Sequence, residues 1–102
     1  MSDAILMMVD PTGGLYELAL DGEGGYRWIT PMKLEMRLED ELDVEAALEA
    51  VLRQAHREGN RMSVSINHEH QDWVQRVSRL EAKVRMEDDG PGGTMVNGAR
   101  GV

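Results

Sequence analysis

An unbroken alternation of apolar and charged residues over positions 32–39 constrains the fold of this chain more than any other feature. Its apolar members are Met32, Leu34, Met36 and Leu38, and its charged members are Lys33, Glu35, Arg37 and Glu39. Because successive side chains of a β-strand point to opposite faces, this pattern predicts a half-buried strand. The pattern therefore predicts a sheet with one face covered by other elements of the chain.

A helical pattern follows the alternation directly and supplies that packing. Apolar residues recur at helical spacing between Val44 and Ala55, which predicts an amphipathic helix over 43–58. Asp40 or Asp43 is suited to cap its first turn, and Gly59 is a common residue type just past a helix end. One face of this helix is expected to cover the sheet.

Shorter patterns predict the rest of the secondary structure. The remaining elements are strands at 4–9, 15–20, 26–30 and 62–66 and a second helix at 68–84. Glycine-rich turns separate the first three strands, which is typical of a meander. Pro31 removes a ladder donor and predicts a bulge or bend. Asn67 is suited to cap the second helix.

The order of these elements, β-β-β(-β)-α-β-α, predicts an α+β fold. A strand–helix–strand crossover joins parallel strands and is right-handed almost without exception, so the strands at 32–38 and 62–66 are predicted to lie parallel in one sheet. Each helix has one apolar stripe, so both are expected on the same face. The prediction is a two-layer sandwich with a mixed four- to five-stranded sheet and two helices on one face.

Length and composition bound the domain organisation. The chain has 102 residues, enough for one domain at most, and that domain is predicted at 1–86. Residues 87–102 are rich in glycine and acidic residues without a hydrophobic period, which predicts a disordered tail. The sequence has no cysteine, no apolar run long enough to span a membrane and no signal-peptide pattern. We therefore expect a cytoplasmic protein without disulfides or thiolate metal sites.

The strand predicted at 4–9 is apolar on both faces. Its side chains form two sets, Ile5, Met7 and Val9 on one face and Ala4, Leu6 and Met8 on the other. Only one set is needed against the helices, so the other set lies on the polar face of the sheet. Exposed apolar patches tend to mark contacts, so Leu6 and Met8 are hypothesised to bind a partner or a second copy in a homodimer. The alternative is that the tail or a loop covers this strand, or that only two large side chains are exposed.

One cluster, Asn67-His68-Glu69-His70 with Asp72, has the residue types of a metal or acid–base site. Imidazoles and carboxylates are ligands for zinc and related metals, but a site needs a third ligand and a second shell. His68 and His70 are two residues apart and do not share a helical face. The chain also shows no phosphate loop or nucleophile motif. A polar helix start is therefore the favoured interpretation, and a non-enzymatic protein without cofactor or metal is predicted.

Charge is distributed unevenly along the sequence, whose formal net charge is −8. The acidic candidates for binding a basic partner are Glu39, Asp40, Glu41, Asp43, Glu45 and Glu49. Acids at a helix start also stabilise the helix, so capping is the simpler interpretation. The basic candidates on the second helix are Arg76, Arg79, Lys83 and Arg85. They suggest nucleic-acid binding as an alternative function, which the net charge opposes.

Together these features favour a small acidic protein that acts by binding a larger protein. An adaptor, a chaperone-like factor or an inhibitor fits this description, and inhibitors encoded by phages or mobile elements are often small and acidic. This association is a prior based on size and charge. No motif in the sequence names the partner.

Overall fold

The computed structural model describes residues 4–89. Its elements are β1 (Ala4–Val9), β2 (Leu15–Leu20), β3 (Tyr26–Ile29), β4 (Glu35–Leu38), α1 (Glu41–Arg57), β5 (Ser63–Ile66) and α2 (Asp72–Asp89), with one 3-10 turn at His68–His70. The predicted α+β class and the predicted order of elements are confirmed. No helix within the described residues is long and apolar enough to cross a membrane.

The sheet has the strand order β4-β3-β2-β1-β5, and every neighbouring pair is antiparallel. The predicted mixed sheet is therefore wrong. β4 and β5 do run in the same direction, but they form opposite edges, with three strands between them. A hairpin already pairs β4 with β3, whereas β1 still has a free edge that β5 fills. The α1 connection thus crosses the sheet and creates no parallel pair.

Three hairpin loops connect the first four strands, and the third one shortens the strand predicted at 32–39. Thr30 N donates to Leu34 O at 3.1 Å, and Lys33 N donates to Thr30 O at 2.8 Å. Pro31 suits the second position of this turn because its ring fixes φ there. Lys33 takes the left-handed position, with φ of 61°. The first three residues of the alternation are therefore loop, and β4 begins at Glu35.

Carboxylates close the other two hairpins. The Asp10 carboxylate accepts from Thr12 Oγ1 at 2.6 Å and from Gly14 N at 2.8 Å. The Asp21 carboxylate accepts from Glu23 N at 2.7 Å and from Gly25 N at 3.0 Å. Hydrogen bonds favour the charged form of an acid. The Thr12 hydroxyl, followed by the Gly14 amide, therefore lowers the pKa of Asp10.

One face of the sheet and both helices share a single core. Its members are Ile5, Leu6, Met8, Leu18 and Trp28 from the sheet, Val44, Leu48 and Leu52 from α1, and Trp73, Val77, Leu80 and Val84 from α2. The helices contact one another, and their apolar stripes face the same layer. The helix pair thus forms the second layer, as predicted, and neither helix packs on the opposite face of the sheet.

The ends of α1 follow the predicted signals with small shifts, whereas α2 begins at Asp72 and not at the predicted residue 68, because Asn67 caps the separate 3-10 turn at His68–His70. Asp40 caps α1 by accepting from Asp43 N at 2.9 Å, and Gly59 follows the helix with φ of 72°. α2 runs beyond its predicted end at 84, because the residues that follow are good helix formers. Glu87 also forms an ion pair with Arg53 of α1 at 2.6 Å. The predicted tail therefore begins in helix at 87–89, and 90–102 lie outside the described residues.

Candidate interaction surfaces

The prediction that Leu6 and Met8 lie on the exposed face is wrong. Leu6 is 1% exposed and Met8 is 0% exposed, whereas Met7 is 40% and Val9 is 38% exposed. A register irregularity between Ala4 and Leu6 in the pairing with β2 accompanies the burial of both Ile5 and Leu6. An extra residue in one strand turns two consecutive side chains toward the same layer. Neither Leu6 nor Met8 is available to a partner.

The face opposite the helices carries an apolar patch, here called the open-face patch, made of Met7, Val9, Leu15 and Ile29. Val9 lies directly opposite Leu15 in the β1–β2 register, and Glu17 lies between Met7 and Ile29. Opposed residues of an antiparallel pair point to the same face. Leu15 is 43% exposed, so the patch presents three substantially accessible apolar side chains. Alternation in β1 had predicted apolar side chains here, although it did not say which ones.

Four of the six acidic candidates at 39–49 have structural partners. Asp40 caps α1, as described above, and Glu39 forms an ion pair with Arg37. Glu41 lies 2.9 Å from Arg76 of α2. Such surface pairs are usually worth about 0–1 kcal/mol. Part of the acidic segment therefore has a structural role, because its side chains cap α1 and form ion pairs with neighbouring elements.

Glu49 is the fourth of these acids and the most strongly engaged. Its carboxylate accepts from Lys83 Nζ at 3.0 Å and from Arg53 Nη2 at 2.5 Å. These hydrogen bonds, that of Lys83 first, hold the pKa of Glu49 below its usual range. Asp43 and Glu45 make no ion pair with the side chains that the structure describes, so they remain the acidic side chains of this segment that a basic partner could contact.

The basic candidates on α2 are divided in the same way. Arg76 pairs with Glu41 and Lys83 pairs with Glu49, so two of the four are bound to the acidic segment of the same chain. Arg79 and Arg85 are exposed and form no ion pair within the described part of the chain. Two ion pairs therefore join the two charged regions across the α1–α2 contact.

A cluster that the sequence did not reveal joins β3 to both helices. The rings of Tyr26 and Trp73 meet edge to face with centroids 6.3 Å apart. The Arg76 guanidinium lies 4.6 Å from the Trp73 ring centroid, within the range of a cation–π contact. Burial, followed by the nearby Glu41 carboxylate, raises the pKa of Tyr26. This cluster locks the start of α2 onto the sheet.

The histidine cluster forms the 3-10 turn before α2. The Asn67 side chain accepts from Glu69 N at 3.0 Å, and its Nδ2 donates to Ala4 O at 2.9 Å. Asn67 therefore caps the turn and ties it to β1. His68 and Glu69 are exposed. Among the side chains that the structure describes, no three histidine, aspartate or glutamate residues lie close enough together to hold a metal ion.

A cleft lies between the end of α1 and the middle of α2. Buried Leu52 and Ala55 line it together with Met62, and charged side chains, among them Arg61 and Arg85, complete the wall. The lining also includes His56 and Glu81, whose imidazole and carboxylate are acid–base side chains, and its guanidinium groups can bind an anion.

Sequence reasoning also missed an apolar stripe at the β4 edge, here called the edge stripe. Its members are Met32, Leu34, Met36 and Leu42, whose exposure lies between 49% and 82%. Met36 lies directly opposite Trp28, which is only 3% exposed. At this pair burial therefore ends within one strand spacing, although Leu38 at the other end of β4 still packs against the core. A helix is about 10 Å wide and strands are about 4.8 Å apart, so two helices cover about four strands.

No protein-family model, curated protein or solved structure compared with this chain matches it. The exposed surfaces described above are therefore the basis for a functional proposal.

Proposed function

We propose that this chain is a non-enzymatic protein-binding domain that uses the open face of its sheet. The observation that carries the proposal is the open-face patch, where Met7, Val9 and Leu15 remain 38–43% exposed on neighbouring strands. Isolated apolar side chains are ordinary on a protein surface, but contiguous ones tend to mark interfaces. The partner is a larger protein that presents an apolar surface.

The charge of the chain narrows the kind of partner. The net charge of −8 favours encounter with a basic surface and steers association more than it sets affinity. Asp43 and Glu45 offer carboxylates outside ion pairs within the described residues. A cytoplasmic adaptor, chaperone-like factor or inhibitor, including one encoded by a phage or mobile element, has this combination of small size, acidity and a bare apolar face.

Nucleic-acid binding through α2 is less well supported. Arg76 and Lys83 already contact carboxylates of α1. To contact phosphates, both side chains would have to exchange these partners. Of the four basic candidates on α2, only Arg79 and Arg85 are outside ion pairs within the described residues. Two cations can neutralise only a few phosphates, so they provide little electrostatic affinity for a nucleic acid.

A double variant, Met7→Thr with Leu15→Thr, tests the proposal. Threonine keeps strand propensity while removing apolar surface, so we expect the fold to persist and partner binding to weaken by at least about tenfold, or about 1.4 kcal/mol. The measurement is quantitative co-purification from the producing cells, followed by titration of the captured protein. Val74→Thr is the matched control, because Val74 is 40% exposed on α2. Equal capture by all three proteins would contradict the proposal.

A further inference from the structure

The outer edge of β4 is an unpaired strand edge within the described residues. β4 is the terminal strand of the sheet. Because Thr30 N donates to Leu34 O, ladder alternation directs the backbone groups of Met36 toward β3 and those of Glu35 and Arg37 outward. Natural proteins protect such edges or use them for pairing. The N–H and C=O groups of Glu35 and Arg37 are thus placed to receive another strand.

We infer that the occupant of this edge is β4 of a second copy, paired antiparallel about a two-fold axis at Met36. The segment 33–39 reads Lys-Leu-Glu-Met-Arg-Leu-Glu. Antiparallel pairing of β4 centred on Met36 sets Glu35 against the partner's Arg37 and Met36 against the partner's Met36, and it brings Leu34 to the partner's Leu38. Both charged residues of β4 then meet an opposite charge, and its apolar residues meet apolar ones.

The neighbouring registers lack this complementarity. A two-fold axis at Glu35 sets Glu35 against itself, and an axis at Arg37 sets Arg37 against itself. Directly opposed like charges destabilise a strand pair. Shifts by one residue would oppose side chains that point to different faces, which the pleat forbids. The register centred on Met36 is therefore the one that the charges select.

The existing contacts of these side chains are compatible with this pairing. Glu35 lies 3.1 Å from Arg27, and Arg37 lies 2.6 Å from Asp21. Both interactions hold the charged groups on the open face beside the edge, where a second charge can join them. A carboxylate accepts several hydrogen bonds, and a guanidinium donates up to five.

The same pairing covers two members of the edge stripe, Met36 and Leu34. On the helix side, Met36 meets the partner's Met36, and each Leu34 meets a Leu38, which lies at the margin of the core. The resulting ten-stranded sheet, made from two five-stranded ones, has an isologous two-fold interface, the commonest kind among homo-oligomers. It leaves the open-face patch free, so this inference does not rest on the proposed function.

The first test measures mass by light scattering after size exclusion over a concentration series. Wild type is expected to form a dimer, and Met36→Lys, which sets two ammonium groups at the axis, is expected to raise its dissociation constant at least about tenfold. Met36 is 49% exposed, so lysine is compatible with folding. Met86→Lys, at a position 72% exposed on α2, is the control and stays dimeric. A wild type that remains monomeric at its highest soluble concentration overturns the inference.

A charge-exchange experiment tests the register itself. Glu35→Arg sets the introduced guanidinium against the partner's Arg37, and Arg37→Glu sets the introduced carboxylate against the partner's Glu35, so each variant alone is expected to be monomeric. Mixed together, the two variants restore both opposite-charge pairs and are expected to form a one-to-one heterodimer. This gain on mixing is not produced by a misfolded variant. Homodimers of both single variants, or no heterodimer from two folded monomers, would overturn the inference.

Discussion

Replacing Leu6 with alanine is expected to lower the free energy of unfolding by about 2–5 kcal/mol, the usual loss for a large-to-small change in a packed core. Leu6 is 1% exposed and belongs to the cluster shared by the sheet and both helices. The removed atoms would leave a cavity between two layers that cannot both relax. Met7→Ala, one residue away at a position 40% exposed, is expected to cost less than about 1 kcal/mol.

Urea unfolding followed by far-UV circular dichroism measures both losses under one set of conditions. The comparison depends only on which side chains of β1 face the helices. If Met7→Ala were the more damaging change, β1 would present its other face to the core. In that case Leu6 and Met8 would be the exposed residues, and the open-face patch would not exist.

The second large effect is expected at Trp73, where alanine should cost about 3–5 kcal/mol. Trp73 is 3% exposed, meets the Tyr26 ring edge to face and lies under the Arg76 guanidinium. Its removal empties the contact between β3 and α2 and leaves Arg76 without its aromatic partner. Val74→Ala, at the next position on the outer side of α2, is expected to change stability by less than about 0.5 kcal/mol.

Thermal unfolding and near-ultraviolet circular dichroism check this expectation. The Trp73→Ala protein should melt well below wild type and lose near-ultraviolet signal beyond that of one indole, because Tyr26 also loses its fixed environment. A loss no larger than that of Val74→Ala would mean that α2 does not dock on β3 through this cluster.

Local signals in the sequence predicted the elements because local chemistry decides them. Asp40 caps the start of α1, and Gly59 ends the helix with a positive φ. The segments after Asp10 and Asp21 form hairpin loops, and the carboxylates of these two residues accept hydrogen bonds from the loop amides. These features depend on residues within a few positions of each other. The alternation at 32–39 predicted a strand for the same reason, although its first residues form the loop at Lys33.

Long-range pairing was not encoded in any local pattern. The position of β5 beside β1 depends on which edge is free after the meander forms, and nothing in 62–66 specifies that edge. The irregularity between Ala4 and Leu6 inserts one extra residue, so Ile5 and Leu6 are both buried, which strict alternation does not predict. Period-2 reasoning predicts two possible faces and does not choose between them.

The charged residues of the candidate site were likewise predicted from local patterns, whereas their pairing was not. The sequence separated an acidic segment from a basic helix, but the packing of α1 on α2 joins Glu41 to Arg76 and Glu49 to Lys83. Met32, Leu34 and Met36 were predicted on the buried face of a strand, because alternation predicts an apolar face without saying how far its cover extends. In the structure all three are exposed, and only Leu38 of this alternation packs against the core.

Thiol labelling tests most directly whether the open face is occupied in the cell. The chain has no cysteine, so single cysteines at Met7, Met8 and Val74 report on one position each. In purified protein, Met7→Cys and Val74→Cys are expected to label quickly and Met8→Cys slowly. In the producing cells, Met7→Cys should become protected while Val74→Cys remains reactive. Equal labelling of Met7→Cys in cells and in purified protein would contradict the assignment of the open face as a binding surface.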